Sequence, residues 1–236
     1  MTSRSSLRAL ALLAAAGLAL AACSKGGGEG ASTSGPFNAD EMTLGDPKAP
    51  VKMVEYASVT CPHCAKFNLT VFPQIRRRYI DSGKVHYTFK EILTDPQEVA
   101  AAGFLTARCA GTDKYFTVVD SIFKSQNEMF SGGSPLEVLR KVATGAGLSG
   151  KQFDACVHNE KALAALYDRV EKNSREGDVG GTPSFTLNGQ KIKEGEMSAV
   201  EFDTFYATAA GLTPAPAAAP AAAPAKATPV AKPAPK

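Results

Sequence analysis

The sequence has too little charge bias to suggest a polyanionic partner. Its 236 residues include 26 lysines and arginines against 23 aspartates and glutamates. Five of the basic residues lie in the first eight and last eleven positions, so the stretch between holds 21 basic and 23 acidic residues. Proteins that bind nucleic acid through its phosphates need a basic face, and this composition argues against such a partner.

Several functional motifs are missing as well. The sequence has no glycine-rich phosphate-binding loop, no internal repeat, and no second Cys-x2-Cys or His-x3–5-His pair to complete a zinc site. We therefore expect neither a nucleotide cofactor nor a metal.

The apolar run near the N-terminus is too short to cross a bilayer comfortably. It extends from Ala9 to Ala22 after Arg4 and Arg8, and its 14 residues compare with the roughly 20 that a membrane-spanning helix needs. This pattern is typical of a secretory signal peptide, predicted here over residues 1–22.

The run ends in Leu20-Ala-Ala-Cys23, which resembles the lipobox of bacterial lipoproteins. The resemblance implies that Cys23 becomes the diacylated N-terminus of a protein anchored to a membrane of the cell envelope. The alternative is cleavage of an ordinary signal peptide nearby, with Cys23 left as a free thiol.

Two further segments have compositions that cannot build a core. Residues 23–38 are rich in glycine and serine and predict a flexible tether. Residues 213–236 are almost entirely alanine, proline and lysine, which predicts a disordered tail. Weak contact of this tail with an anionic cell wall or membrane is the alternative to an inert spacer.

The middle of the chain predicts an α/β domain. Residues 51–57 are apolar on both faces, as in a central strand, and residues 84–92 alternate as a second strand. Between them, apolar residues recur at helical spacing from Cys64 to Ile75, and Pro73 should kink that helix. Such a β-α-β unit implies two parallel strands.

Residues 95–177 have helical periodicity throughout, so we expect an all-helical insertion there. The period returns to two from Pro183 onward, and Asn188-Gly189 is typical of a two-residue hairpin turn. A last amphipathic helix follows. The predicted α/β domain therefore comprises residues 39–94 and 178–212, with the insertion between them.

The chemistry is predicted in Cys61-Pro62-His63-Cys64, at the junction of the first strand and its helix. A cysteine at a helix N-terminus meets unpaired N–H groups and the positive end of the helix dipole, which favour its thiolate. Cys61 is therefore the expected nucleophile, at an exposed edge, and Cys64 the resolving thiol one turn further in. Pro62 fixes φ at the first helical position, and His63 should favour the Cys61 thiolate further. A half zinc site and an inert disulfide are the alternatives.

The DsbA branch of thioredoxin-fold proteins has motifs similar to two in this chain. They are Glu55-Tyr-Ala-Ser-Val-Thr-Cys61-Pro-His-Cys64 and Val179-Gly-Gly-Thr182-Pro183-Ser-Phe, and the similarity covers roughly residues 36–211. The resemblance implies a thioredoxin fold with an inserted helical domain, which agrees with the predicted element order.

The resemblance also implies roles for further residues. Pro183 would be a cis-proline whose loop pairs with an extended substrate chain, and Thr182 would line the site. Glu55 would lie in the central strand beneath the reactive cysteines. Burial should then raise its pKa and let it exchange a proton with Cys64. The alternative is a partly solvated Glu55 at the edge of the strand.

Thr182 is also a departure from the best-known DsbA oxidases, which have valine before the cis-proline. Threonine occurs there in related isomerases and reductases, so the sequence leaves those activities open.

Cys109 and Cys156 both fall in the helical insertion. In an oxidising compartment a structural disulfide between them is the simplest expectation, and some DsbA-like proteins have such a second bridge. Two separate buried thiols are the alternative.

The sequence thus predicts an envelope enzyme that faces the periplasm and forms disulfides in exported proteins by dithiol–disulfide exchange. Its partners would be unfolded or folding exported proteins with free cysteines, and a DsbB- or VKOR-like membrane protein that passes electrons to quinone. No cofactor is needed. The alternatives are an isomerase or reductase of the same fold, and a tethered binding lipoprotein without turnover.

Overall fold

The computed structural model describes residues 41–212, and the elements within that range follow the predicted order. The predicted signal peptide, Cys23, the tether and the tail from residue 213 onward lie outside the described residues. The strands are β1 (Met42–Leu44), β2 (Val51–Ala57), β3 (Val85–Glu91), β4 (Ser184–Leu187) and β5 (Gln190–Glu194). The helices are α1 (Pro62–Thr70), α2 (Phe72–Ile75), α3 (Gln97–Cys109), α4 (Tyr115–Phe130), α5 (Pro135–Gly145), α6 (Gly150–Val157), α7 (Glu160–Glu176) and α8 (Ala199–Ala209). A π-helical turn over Arg76–Ile80 continues α2.

The strands form one mixed sheet in the order β1-β3-β2-β4-β5. β2 runs parallel to β3 and antiparallel to β4, so it is a central strand, as its apolar sequence predicts. In this register Glu55 lies between Phe89 of β3 and Phe185 of β4. The predicted β-α-β unit is confirmed, and it places a glutamate in the interior of the sheet.

The helix after β2 is broken rather than kinked. α1 ends at Thr70, and α2 begins at Phe72 with Pro73 at its second position. Proline has no N–H to continue a helical ladder, and its ring collides with the preceding turn, so the chain restarts there. The break leaves α1 as a short helix that carries the reactive motif.

The helical insertion lies between β3 and β4 and comprises α3 to α7. Within it, α4 packs against α1 as well as against α3, so the insertion covers the reactive helix. A buried cluster joins it to the sheet: Glu91 at the end of β3 accepts hydrogen bonds from Arg108 (2.7 Å) and Arg169 (3.2 Å). The predicted insertion is confirmed, and buried charge contributes to its attachment.

Two smaller features complete the sheet. β4 and β5 form the predicted hairpin, with φ of 48° at Asn188 and 78° at Gly189. β1 was not predicted, because its three residues are too few for an alternating pattern to stand out.

No helix within residues 41–212 combines the length and the apolarity that crossing a bilayer requires.

Candidate active site

The loop between β2 and α1 is held from two sides. On one side, the buried Thr60 hydroxyl donates to the carbonyl of Thr94 at 2.9 Å. On the other, the Gln126 side chain of α4 donates to the carbonyls of Val59 (2.8 Å) and Cys61 (3.1 Å). The insertion therefore fixes the backbone that presents Cys61.

Cys61 caps the N-terminus of α1. Its Sγ accepts a hydrogen bond from the Cys64 N–H at 3.3 Å, so the sulfur meets an unpaired donor of the first turn. The pKa of Cys61 is lowered to about 6, chiefly by a hydrogen bond from the Cys64 thiol. The Thr182 side chain and the N–H groups of Cys64 and His63 act in the same direction, and burial opposes them. The helix start thus favours the thiolate, as the sequence predicts.

Cys61 is less open than the expected exposed edge. It is 6% exposed, because the Thr182 carbonyl oxygen lies 3.3 Å from its Sγ and the insertion covers the loop. When Cys61 is a thiol, its S–H donates to that carbonyl. A substrate must therefore approach along the loop that contains Thr182.

Cys64 has the opposite character. Its side chain is fully buried, and burial raises its pKa well above the usual value for a thiol. The hydrogen bond that it donates to Cys61, and the charge of the Cys61 thiolate, raise the pKa further. The pair is therefore strongly asymmetric: its surroundings favour a thiolate at Cys61 and a thiol at Cys64.

Pro62 and His63, the two residues between the cysteines, differ in what they contribute to the surroundings of Cys61. Pro62 occupies the start of α1, as predicted. The His63 ring, by contrast, pairs through Nδ1 with Glu196 at 2.7 Å, and it is the His63 backbone N–H that donates towards Cys61. The expected contact from the ring to Cys61 is thus replaced, because a nearby carboxylate, also paired with Lys66, attracts the imidazole.

Glu55 is wholly buried, which contradicts the alternative of a solvated glutamate at the strand edge. The Tyr87 hydroxyl donates to its Oε2 and the Asn68 amide to its Oε1, both at 2.7 Å. The pKa of Glu55 is raised to about 7: burial is the main cause and the Cys61 charge adds to it, while the two hydrogen bonds act against the shift. Glu55 can therefore hold or release a proton near neutral pH.

The loop before β4 lies beside the cysteines. The Thr182–Pro183 peptide bond is cis, and the Thr182 carbonyl faces Cys61. The loop is held at both ends: Glu194 accepts from the Gly180 N–H at 3.3 Å, and the Gly195 N–H donates to the Pro183 carbonyl at 2.8 Å. The structure thus brings together Cys61, Cys64, Glu55, Thr182 and Pro183.

The second cysteine pair is separate from this group. Cys109 and Cys156 form a disulfide that joins the end of α3 to α6, with their Cα atoms 6.3 Å apart. Cys61 and Cys64 are both free thiols in this structure.

Four contacts of the site were not predicted from the sequence. Gln126 could have been noticed as a polar residue on the apolar stripe of α4, four positions after Ile122. Asn68 lies one turn after Cys64, but nothing in its spacing points to Glu55. In the sequence pattern, Tyr87 is indistinguishable from an ordinary core residue of a strand, and Glu196 from an ordinary loop residue.

The arrangement supports thiol–disulfide chemistry. It supplies an activated sulfur, a second sulfur three residues away, and a carboxyl group that titrates near neutrality. Within residues 41–212, no group of three or more His, Cys, Asp or Glu side chains could hold a metal ion.

The family model described as Thioredoxin matches residues 38–205. The chain belongs to the thioredoxin family, in its DsbA-like branch. Its architecture is accordingly a thioredoxin fold with an inserted helical block, as the resemblance implied.

Individual relatives agree with this assignment. A Rickettsia conorii protein named as a protein-disulfide oxidoreductase is 34% identical to this DsbA-like chain over 151 residues, 64% of this chain and 54% of that protein. A Bacillus anthracis protein named as a disulfide bond formation protein D is 29% identical over 157 residues, 63% of this chain and 70% of that protein. The crystal structure of Wolbachia pipientis alpha-DsbA1 has a TM-score of 0.65 and 28% identity, and the match covers 72% of this chain and 93% of that chain. The chain therefore spans about half the length of the Rickettsia relative.

Proposed function

We propose that this chain is a thiol:disulfide oxidase that introduces disulfides into exported proteins. The asymmetry of the cysteine pair carries the proposal: the pKa of Cys61 is lowered to about 6, whereas burial raises that of Cys64. A stabilised thiolate favours the reduced pair, so the Cys61–Cys64 disulfide gives up its bond readily to a substrate.

The reaction follows from the positions of the two sulfurs. A substrate thiolate attacks Sγ of Cys61 in the oxidised protein, the Cys61–Cys64 bond breaks, and Cys64 leaves as a thiolate. The Glu55 carboxyl supplies the proton that Cys64 takes up. A second substrate thiolate then attacks the substrate sulfur of the mixed disulfide and releases Cys61 as a thiolate. The substrate loses two electrons, and the cysteine pair gains them.

The Thr182–Pro183 loop is proposed to hold the substrate during this exchange. The Thr182 carbonyl lies 3.3 Å from the Cys61 Sγ, so a chain paired with this loop would pass directly over the nucleophile. Unfolded or folding exported proteins with free cysteines fit this requirement, because an extended segment can pair with loop backbone.

The cellular setting rests on the sequence. A lipid on Cys23, followed by the tether of residues 23–38, would hold the domain at a membrane facing the periplasm. A DsbB- or VKOR-like membrane protein linked to quinone would reoxidise the pair. The proposed reaction requires no cofactor, since the electrons pass from sulfur to sulfur.

An isomerase or reductase is the second candidate, because threonine before the cis-proline, here Thr182, also occurs in related enzymes of those two kinds. The contribution of the Thr182 side chain to the lowered pKa of Cys61 acts in the oxidase direction instead. A tethered binding lipoprotein without turnover is the third candidate. It would retain its cellular phenotype after Cys61→Ala.

The reduction potential of the purified protein against glutathione tests the proposal, with Cys61→Ser as the control that forms no disulfide at this site. We expect a potential more oxidising than that of glutathione. Thiol trapping in intact cells provides the second measurement. A mostly reduced Cys61–Cys64 pair in cells, or a potential near that of thioredoxin, would show that electrons flow from the protein to its substrates and would contradict the oxidase proposal.

A further inference from the structure

The buried Glu55 needs a proton path that a bound substrate does not block. Glu55 has no exposed surface, and Cys61 is only 6% exposed even without a substrate. In the mixed disulfide the substrate chain would cover this approach. Each transfer nevertheless moves a proton from Glu55 to Cys64 and leaves a buried carboxylate, which regains its neutral form before reoxidation only if a proton reaches it from elsewhere.

A cleft on another part of the molecule comes within one side chain of Glu55. It has a volume of about 210 Å³ and lies between α1, α2 and α4. Neither the Cys61–Cys64 motif nor the Thr182–Pro183 loop contributes to its walls. A substrate held at the loop would therefore leave this cleft open.

Asn68 connects the cleft with the buried carboxyl. It is half-buried and lines the cleft, and its Nδ2 donates to Glu55 Oε1 at 2.7 Å and to the Cys64 carbonyl at 3.0 Å. Phe89, which lies beside Glu55 in the sheet register, forms another part of the same wall. The cleft thus ends one side chain away from the Glu55 carboxyl.

The cleft can hold water. A water molecule needs roughly 10–15 Å³ of such space and two to four polar partners. The walls are mainly aromatic, but they include the polar side chains of Asn68, Arg76, Thr117 and Asp120. These groups are the polar partners that waters between solvent and Asn68 would have.

We propose that this cleft is the route by which protons reach Glu55 and that Asn68 is the proton relay at its inner end. The inference rests on the proposed proton transfer between Glu55 and Cys64. The Glu55 carboxyl gives its proton to the Cys64 thiolate and becomes a carboxylate. Hydronium in the cleft then protonates Asn68 Oδ1 while an Nδ2–H proton passes to Glu55 Oε1 across the 2.7 Å contact. The imidic acid so formed returns to the amide by proton exchange with water in the cleft, and no electrons move in these steps.

The charged and titratable groups around this route come from several elements. Tyr87 of β3 and the thiols of Cys61 and Cys64 face Glu55 directly. Arg76, in the π-helical turn after α2, and Asp120, on α4, border the cleft. A pH profile must therefore be assigned with variants of Glu55 itself.

Infrared spectroscopy of hydrogen–deuterium exchange at the Glu55 carboxyl tests the route directly. The full chain with Cys64→Ala is mixed rapidly into deuterium oxide at pH 5, where Glu55 is protonated, and its carbonyl band is identified by the difference from Glu55→Gln. The measurement is repeated with a peptide linked to Cys61 as a mixed disulfide. We expect attachment of the peptide to change the exchange rate less than twofold. If exchange slows tenfold or more in the peptide-linked protein, protons reach Glu55 from the Cys61 side, and the inference is overturned.

Variants of the cleft provide the second arm. Asn68→Leu removes the polar contact, and we expect exchange to slow by about tenfold, since proton-transfer groups contribute at least this much. Thr70→Val, on the same helix as Asn68 but outside the cleft, is the matched control and should exchange as the parent does. Equal rates in Asn68→Leu and Thr70→Val would reject the role of Asn68.

A third variant keeps the test informative if Asn68→Leu fails to fold. Asn68→Ala widens the cleft, so added imidazole or formate should restore exchange in a concentration-dependent way. If Asn68→Ala exchanges as fast as the parent without any added imidazole or formate, the role of Asn68 is also rejected. None of these rates depends on disulfide transfer, so a failed oxidase assignment would appear in the reduction potential and leave the exchange result distinct.

Discussion

Glu55 and Glu91 are glutamates in neighbouring parallel strands, and they are equally buried, at 0% and 1% exposure. Their partners differ in charge. Glu55 accepts hydrogen bonds from two neutral groups, the Tyr87 hydroxyl and the Asn68 amide. Glu91 accepts from the Tyr115 hydroxyl as well, but also from two guanidinium groups, those of Arg108 and Arg169. Burial alone therefore does not decide what an interior carboxyl group does; its partners do.

The two pairs of cysteines show the same difference in their surroundings. The reactive region, which we define by Glu55, Asn68, Cys61 and Cys64, contains two thiols of unequal acidity. The anchoring region, defined by Glu91, Arg108, Arg169, Cys109 and Cys156, contains a disulfide and a paired charge. In the anchoring region every group named here is matched to a fixed partner. The reactive region retains groups that can change state.

Glu91→Gln should produce the largest loss of stability. The substitution leaves two buried guanidinium groups without a counter-charge, which typically costs about 3–5 kcal/mol. Urea unfolding of the oxidised protein at pH 7 measures the change, with Glu55→Gln as the matched control. A loss no greater than that of the control would mean that the two carboxyl groups are not distinguished by their partners.

Loss of the disulfide in the anchoring region should follow. Cys109→Ala combined with Cys156→Ala removes a cross-link between residues 47 positions apart, which the chain-entropy account values at about 4 kcal/mol. Urea unfolding measures the change, and ultraviolet absorbance of the Cys61 thiolate provides a second readout. If the thiolate titration shifts as well, the two regions are coupled rather than separate.

Glu55→Gln should stabilise the protein at pH 8. The folded protein's preference for a neutral Glu55 contributes stability that is fully present below pH 4.5 and is lost as the pH rises through about 7. That shift corresponds to about 3 kcal/mol at pH 8, which the neutral amide does not lose. Thermal unfolding from pH 4 to pH 8 tests the sign. A variant whose stability falls with pH as the wild type's does would show that another group is responsible.

The smallest effect is expected from Thr182→Val, which matches threonine in shape. The Thr182 side chain contributes to the lowered pKa of Cys61, so its loss should raise that pKa from about 6 by up to about one unit. The thiolate absorbance of the reduced protein, titrated between pH 4 and pH 9, measures the midpoint. Thr117→Val is the control and should leave the midpoint unchanged. If Thr182→Val has the same midpoint as the wild type, the Thr182 side chain does not contribute to the acidity of Cys61.

Much of the reactive region could be predicted because it is local in sequence. The strand Val51–Ala57 and the helix that begins at Pro62 are both visible in the residue pattern, and their junction places Cys61 at a helix start. The acidity of Cys61 follows chiefly from the hydrogen bond of the Cys64 thiol, three residues further on, and in part from the N–H groups of the helix start. Glu55 could be placed in the sheet for the same reason, since it lies within a strand that is apolar on both faces.

The contacts that could not be predicted are distant in sequence or depend on side-chain direction. Gln126 reaches the carbonyl of Cys61 across 65 positions, and Glu196 draws the His63 ring away across 133. Arg108 and Arg169 both meet Glu91, although they lie on different helices of the insertion. No local periodicity encodes such meetings, because they arise only when the helices pack against the sheet.

The sequence by itself determined which sulfur is activated, because the helix start that activates it is built from neighbouring residues. Only the tertiary structure decided which buried carboxyl group has neutral partners alone and which is paired with cations. That outcome depends on whether packing brings a neutral amide or a guanidinium group against it, and both arrive from other elements of the chain.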